Sequence, residues 1–287
     1  TYLVSQLARQ SVTVSLSGDA GDELFGGYNR YLWGTRIWNK VKWMPLELRS
    51  ALGSAIQKVP VSTWSKAGNF LPSKHKVSLM GSKMHRMAHR LKTIKDIDDM
   101  YSSLVTEGYK ENDLVIGGGE ILSTKLDNLN IVVDMKEPEQ RMMLWDSLTY
   151  LPDDILTKVD RAAMGVGLET RIPFLDDRVV ELAWRLPLEM KIKNGEGKWP
   201  VRQVLYKYVP KELIERPKAG FAIPVGQWMR GPLREWADNL LNEGRIKREG
   251  YFDPKLVRRL WEQHLSGLYD WTPRLWAILM FQAWLEK

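Results

Sequence analysis

The chain has 287 residues, 44% of them hydrophobic and 27% charged, with a net charge of +7, which excludes a disordered or fibrous protein and is enough for a sizeable core. No apolar run approaches the roughly 20 residues of a membrane span, and the opening TYLVSQLARQ carries neither a basic leader nor a small-residue cleavage site. The sequence lacks cysteine, so disulfides, thiolate metal sites and a cysteine nucleophile are excluded from it, and a soluble, cytoplasmic protein is expected.

In chain order, Tyr2 to Arg9 reads as the end of a helix and Val12 to Leu16 as a buried strand, with helices separated by proline and glycine thereafter. Periodicity predicts helices over 30–43, 45–57, 74–92, 97–106, 138–150, 154–166, 176–185, 199–208, 227–243, 254–266 and 273–286. The best further strand is Asn130 to Val133, and the stretch 108–137 reads as a mobile excursion. Its Gly117, Gly118 and Gly119 lack the spacing and the following Lys-Ser/Thr of a phosphate loop. A lone strand near residue 14 cannot make an α/β domain by itself. The chain is therefore expected to be predominantly α-helical with few strands, the later part of a larger α/β domain. The 13 tryptophans suit cores better than base stacking, because Trp33, Trp38, Trp145, Trp184, Trp261, Trp276 and Trp284 fall on apolar helical faces.

An excess of Lys and Arg is the electrostatic footprint of phosphate binding, but here it is thinly spread. Its densest part, His85 to Lys92, interleaves with Met84, Met87, Ala88 and Leu91 and reads as a surface helix with a solvated polar face. His85 and His89 lie one turn apart, yet no acid sits between them and no third metal ligand is apparent.

Four segments carry candidate chemistry. The first, LSGDAGDELFGGY at 16–28, follows the strand and places Asp19, Asp22 and Glu23 within five positions. In open α/β sheets ligands bind beyond the carboxyl ends of strands, where glycine allows close backbone approach; Ser17 and Gly18 occupy that place. The carboxylates would repel bare phosphate, so an anion there needs a cation between, and Mg²⁺, which takes one or two carboxylates plus phosphate oxygens, meets that need. The alternative is that Asp19 merely caps a helix starting near Gly21, with Gly26 and Gly27 ending it. Capping accounts for one acid of the three.

The second segment is LPDDILTKVDRAAM, continuing through GLETRIPFLD at 167–176. Asp153 or Asp154 can cap its helix, and at least one of the adjacent Asp160 and Arg161 is expected to meet a partner. The third, GEGKWPVR at 195–202, delivers Lys198 at a helix start, where the helix dipole disfavours a cation; Lys198 is expected to face an anion. The fourth, RPKAGFAIP at 216–224, holds Arg216 and Lys218 on a proline-stiffened loop.

Together and in this order the four segments resemble the synthetase domain of the glutamine-hydrolysing asparagine synthetase family, over nearly the whole chain. The resemblance implies an ATP-pyrophosphatase fold, adenine nucleotide α-hydrolase-like and related to the β-lactam synthetases, with 1–287 as its C-terminal part. It implies MgATP as cofactor and a reaction in which the aspartate side-chain carboxylate attacks the α-phosphorus to give β-aspartyl-AMP and pyrophosphate. Ammonia from a glutaminase domain then displaces AMP. On this resemblance Ser17 and Gly18 match the adenosine-contacting segment, Asp22 a Mg²⁺-binding carboxylate, and Asp19 the position serving the acyl-adenylate. Lys198 matches the lysine that stabilises phosphate charge during adenylation, and Asp160, Arg161, Glu169 and Arg171 fall in the segment lining the cleft. Arg216 and Lys218 match pyrophosphate ligands. The implied partners are small molecules, with neither nucleic acid nor membrane, and homodimerisation is left open.

Two departures stand out. Well-known asparagine synthetases carry glutamate where this chain has Asp19, and β-lactam synthetases tyrosine, so the amidated acid could be one other than aspartate, such as a sugar acid. The Ser-Gly-Gly-x-Asp-Ser pyrophosphate loop and the glutaminase cysteine are absent from these residues. A fragment inactive alone, or a non-catalytic module that keeps the fold, are the readings this leaves.

Overall fold

The computed structural model describes residues 1–69, 79–106, 114–118, 135–215 and 223–287. They fall into two compact units, Thr1–Lys40 with Ser123–Lys218 and Val41–Leu122 with Ala219–Lys287. The chain opens with α1 (Tyr2–Arg9), β1 (Val14–Leu16), α2 (Gly21–Phe25) and α3 (Asn29–Val41), and enters the second unit through α4 (Leu46–Lys58), α5 (Val61–Asn69), α6 (Met80–Thr93) and α7 (Ile97–Val105). It returns to the first unit with α8 (Pro138–Leu148), α9 (Thr157–Met164), β2 (Glu169–Arg171), α10 (Asp177–Arg185), α11 (Leu188–Lys191), α12 (Trp199–Leu205) and α13 (Lys211–Ile214). The second unit is completed by α14 (Val225–Arg230), α15 (Arg234–Leu240), α16 (Glu243–Glu249), α17 (Pro254–Leu265) and α18 (Thr272–Leu285).

In the first unit β1 and β2 run parallel, Val14 opposite Glu169 and Leu16 opposite Arg171. The ladder continues one step, the Ser17 amide donating to the Arg171 carbonyl at 2.8 Å. β1 is not the buried strand expected: Leu16 is 73% exposed, because among the described residues the sheet has only these two strands. β2, with the sequence Glu-Thr-Arg, has no apolar residue to announce it and is a strand through its pairing alone. Beneath the end of β1, Leu24 and Phe25 of α2 pack with Ala20, Leu151 and Ala183, and Phe25 meets Phe174 edge to face at 5.8 Å.

The helix expected over 154–166 begins earlier, as a π-helical turn over Leu151–Leu156 that leads into α9. Neither Asp153 nor Asp154 caps it; the Asp153 amide instead donates to the Thr149 carbonyl at 2.9 Å, and Asp154 pairs with Lys158 at 3.6 Å on the surface. Asp176 does cap α10, accepting from the Arg178 amide at 3.0 Å.

In the second unit α4 and α5 pack on α6, and the C-terminal helices enclose a core of Met229, Leu240, Trp261, Leu275 and Leu279. The helix expected over 227–243 is split after Arg230, since Pro232 has no N–H to donate and pushes Gly231 out of helical backbone. α5, rich in Ser, Thr and β-branched residues, and α16, opened by an Asn242 cap on the Arg245 amide at 3.1 Å, carry no prediction. Trp145 and Trp261 are buried as expected, whereas Trp33 and Trp284 are 64% and 65% exposed. Residues 74–78 of one expected helix, the strand Asn130 to Val133 and most of 108–137 lie outside the described residues. Among the described residues no helix is long and apolar enough to cross a membrane.

Candidate functional site

The three acids after β1 diverge. Asp19 accepts a hydrogen bond from the Ser17 hydroxyl at 2.5 Å. Asp22 forms an ion pair with the Lys198 ammonium at 2.8 Å, both side chains about a third exposed. Glu23 points inward, buried, and accepts from the Tyr28 hydroxyl at 2.8 Å; burial pushes its carboxyl above the usual carboxylate range. None of them caps α2. The residue before that helix is Ala20, in left-handed backbone with φ 67° and no side-chain cap, so the capping reading of Asp19 is overturned. Gly26, with φ 70°, does end the helix as expected.

The ion pair is built by two loops that cross at glycines. Lys193 and Glu196 close a two-residue hairpin turn through Asn194 and Gly195, both at positive φ. The chain then passes so close to α2 that a Cβ on Gly197 would stand 1.9 Å from the Gly26 carbonyl oxygen. A Cβ on Gly27 would stand 2.0 Å from an Asp22 carboxylate oxygen and 2.4 Å from Cε of Lys198. Lys198 itself sits at φ 59°, an uncommon conformation for a side chain of its size. Its amide donates to the Phe25 carbonyl at 2.8 Å, which accounts for the strained backbone and fixes the direction of the side chain. The anion expected opposite Lys198 is thus, in this structure, the carboxylate of Asp22. Gly18 has no atom within 4 Å of where a Cβ would stand, so the space above the end of β1 is open.

Behind the site lies a polar aromatic layer that the sequence reading missed. Asp146 is buried and accepts from Nε of Arg30 at 2.9 Å and from the Tyr31 hydroxyl at 2.5 Å. The Arg30 guanidinium also lies 4.0 Å from the Tyr28 ring centre and 4.8 Å from that of Tyr150. This layer joins α3 to α8 and holds Tyr28, and through it Glu23, in place. Lys191 was missed as well. Its side chain is wholly buried, its ammonium has no hydrogen-bond partner among the described residues and lies 4.7 Å from the Trp184 ring centre, and burial lowers its pKa to about 8.

The remaining expected residues are more dispersed. Glu169 and Arg171 pair with each other at 2.7 Å on the exposed face of β2. Asp160 and Arg161 are both exposed, and no ion pair or side-chain hydrogen bond joins either to a described residue; the partner expected for one of them is not found there. Adjacent helical positions, 100° apart, leave both free to face solvent. Arg216 and Lys218 lie outside the described residues.

Among the described residues no group of three or more His, Asp or Glu could hold a metal unaided. Asp22 offers one carboxylate, about a third exposed, beside a lysine. That donor set fits Mg²⁺ arriving with a polyphosphate, which brings the remaining oxygen ligands and takes up the ammonium.

The asparagine synthase family model matches residues 1–286. Similar curated proteins include asparagine synthetase (glutamine-hydrolyzing) 1 of Bacillus subtilis, 28% identical over 99% of this chain and 42% of its own length. A putative asparagine synthetase (glutamine-hydrolyzing) of Mycobacterium tuberculosis is 31% identical over 99% of this chain and 40% of its own. The human asparagine synthetase (glutamine-hydrolyzing) is 30% identical over 43% of this chain. The chain spans about two-fifths of the length of the two bacterial relatives.

Proposed function

Because the chain belongs to the asparagine synthase family, we propose that its first unit carries the polyphosphate end of an ATP site that activates a carboxylate for amidation. The observation that carries this reading is the ion pair of Asp22 and Lys198, set at 2.8 Å by a strained lysine backbone and three close-packed glycines. A surface ion pair alone is worth little, and strain of this kind belongs at sites that need it.

The aspartate carboxylate attacks the α-phosphorus of ATP, the bond to pyrophosphate breaks, and an acyl-adenylate forms. Ammonia from a glutaminase domain then attacks the acyl carbon, and AMP departs with a carboxylate oxygen. Lys198 exchanges Asp22 for a phosphate oxygen and stabilises the charge that grows there during adenylation. Asp22, so released, would hold a Mg²⁺ ion, which would supply charge neutralisation at the phosphate oxygens. Ser17 and the open space at Gly18 receive the adenosine, and Asp19, held by Ser17, faces the acyl-adenylate. Glu23, buried and bonded to Tyr28, takes no part in binding phosphate. By the family resemblance Asp160, Arg161, Glu169 and Arg171 belong to the cleft segment, and Arg216 and Lys218 are the pyrophosphate ligands.

The same reading makes residues 1–287 the C-terminal part of a soluble, cytoplasmic enzyme whose pyrophosphate loop and glutaminase domain lie in the rest of the protein. Two observations support this: the share of its relatives that the chain covers, and the exposed apolar side chains of α1, β1 and α9, namely Leu3, Val4, Leu7, Leu16 and Met164. These residues alone do not complete the reaction. Asp19, one methylene shorter than glutamate, favours a second reading of the acceptor as a bulkier acid than aspartate, such as a sugar acid.

In the full-length protein Lys198→Ala should lower pyrophosphate release roughly 10²–10³-fold while leaving glutamine hydrolysis intact. Normal pyrophosphate release from that variant would overturn the assignment.

A further inference from the structure

The basic stretch His85 to Lys92 has no place in the proposed reaction, and its polar face is not the plain solvated surface expected. His85, Arg86, His89 and Arg90 form one stripe of α6 and line a cavity of about 460 Å³ within the second unit. The opposite wall is made by Asp99 and Ser103 of α7 and by the start of α18, from Asp270 to Arg274. A cavity of that size belongs to the range of small-molecule sites, about 300–1,000 Å³, and exceeds what a single ion needs.

Its charge points to an anion. Arg86, Arg90 and Arg274 face it, together with the two imidazoles, against two carboxylates. Both carboxylates accept hydrogen bonds from backbone amides near helix starts. Asp99 accepts from the Lys95 amide at 2.9 Å, and Asp270 accepts from the Thr272 amide at 3.1 Å and from the Thr272 hydroxyl. Arg90 is oriented by the Ser103 carbonyl at 3.0 Å, and Arg274 by the Trp271 ring at 5.2 Å. Arg86 stands at the exposed rim, with no ion pair to any described residue. The first turn of α18 adds the positive end of a 14-residue helix.

We infer that this cavity binds a small phosphate monoester, its phosphate held between Arg86, Arg90 and Arg274 beside His89. Guanidinium forks match phosphate oxygens two at a time, and the rest of the cavity accommodates the body of the ligand. The inference stands independently of the ATP site, which lies in the other unit and contains none of the four histidines, His75, His85, His89 and His264.

That separation supplies the test. Imidazole ¹H–¹⁵N correlation spectra of the full-length protein are followed during titration with inorganic phosphate and then ribose 5-phosphate. The expected result is a saturable shift of the His85 and His89 signals at millimolar or lower concentration, with ribose 5-phosphate the tighter ligand. The His264 signal, whose buried ring bonds the Gly226 carbonyl and the Trp271 amide, stays dispersed throughout and reports that the unit is folded. Arg86→Gln combined with Arg274→Gln should weaken the response at least tenfold; Arg86→Gln alone, at an exposed position, should weaken it severalfold without touching the fold. Shifts that do not saturate, that sodium chloride reproduces at equal ionic strength, or that survive in both variants would overturn the inference.

Discussion

Replacing Gly197 by alanine would put a methyl group 1.9 Å from the Gly26 carbonyl oxygen and 2.7 Å from its carbon, both backbone atoms that cannot rotate away. Ordinary contact begins at 3.4 Å, so the two loops must part by about 1.5 Å (3.4 less 1.9). Lys198 is the next residue and moves with them, which breaks its 2.8 Å contact with Asp22 or the hydrogen bond to Phe25 that aims it. Displacement of a positioned group by about 1 Å costs on the order of 10²-fold in rate, or about 2.7 kcal/mol of transition-state stabilisation. The overpacked crossing should also cost about 1–3 kcal/mol of stability. Steady-state pyrophosphate release by the full-length Gly197→Ala enzyme should therefore fall about 10²-fold in kcat/KM, with thermal unfolding still cooperative. Gly244→Ala, inside α16, serves as the comparison, because its Cβ would meet only the side chains of Asn242 at 3.3 Å and Arg248 at 3.7 Å; it should leave the rate unchanged and gain up to about 1 kcal/mol of stability. A Gly197→Ala enzyme within threefold of the wild type would refute the claim that the glycine crossing sets the lysine.

Asp22→Asn should raise the Mg²⁺ concentration needed for half-maximal pyrophosphate release, with partial rescue by excess metal, whereas Asp19→Asn should lower kcat at unchanged Mg²⁺ dependence and Asp19→Glu should stay active. The same rescue in both asparagine variants would show a single two-carboxylate metal site instead. Lys191→Met should stabilise the protein at pH 7 by on the order of 2 kcal/mol, since the ammonium is buried without a hydrogen-bond partner among the described residues. The pKa of Lys191 in the folded state, about 8, lies below the unfolded lysine value of 10.5. The unfolded chain therefore holds the extra proton between those values, and wild-type stability should rise with pH across that window. Urea midpoints measured from pH 7 to 10.5 check this, and an equal rise in Lys191→Met would contradict it.

What could be read from the sequence was what local chemistry fixes. Long helices such as the amphipathic α3 and α17 and the largely apolar α18 fall within two residues of their expected bounds, and Lys198 stood out because a cation at a helix start needs an anion. Four motifs together carried the family resemblance where none would have alone. What was hidden depends on contacts distant in sequence. The strand Glu169–Arg171 exists through pairing with β1, and Asp146 meets Arg30 and Tyr31 across more than a hundred residues. The acids of 19–23 looked like one cluster, since spacing does not reveal that Glu23 turns inward to Tyr28. Burial of β1 was wrongly expected because an apolar strand says nothing of how much of its sheet is present.

The central claim is that this site adenylates a carboxylate, and the most direct measurement follows one oxygen atom. Full-length protein turned over with ATP, Mg²⁺, glutamine and aspartate labelled with ¹⁸O in its side-chain carboxylate should yield AMP carrying one ¹⁸O, with none in pyrophosphate, and Lys198→Ala should abolish the labelled AMP. Label appearing in pyrophosphate or inorganic phosphate, or labelled AMP formed undiminished by Lys198→Ala, would contradict the account.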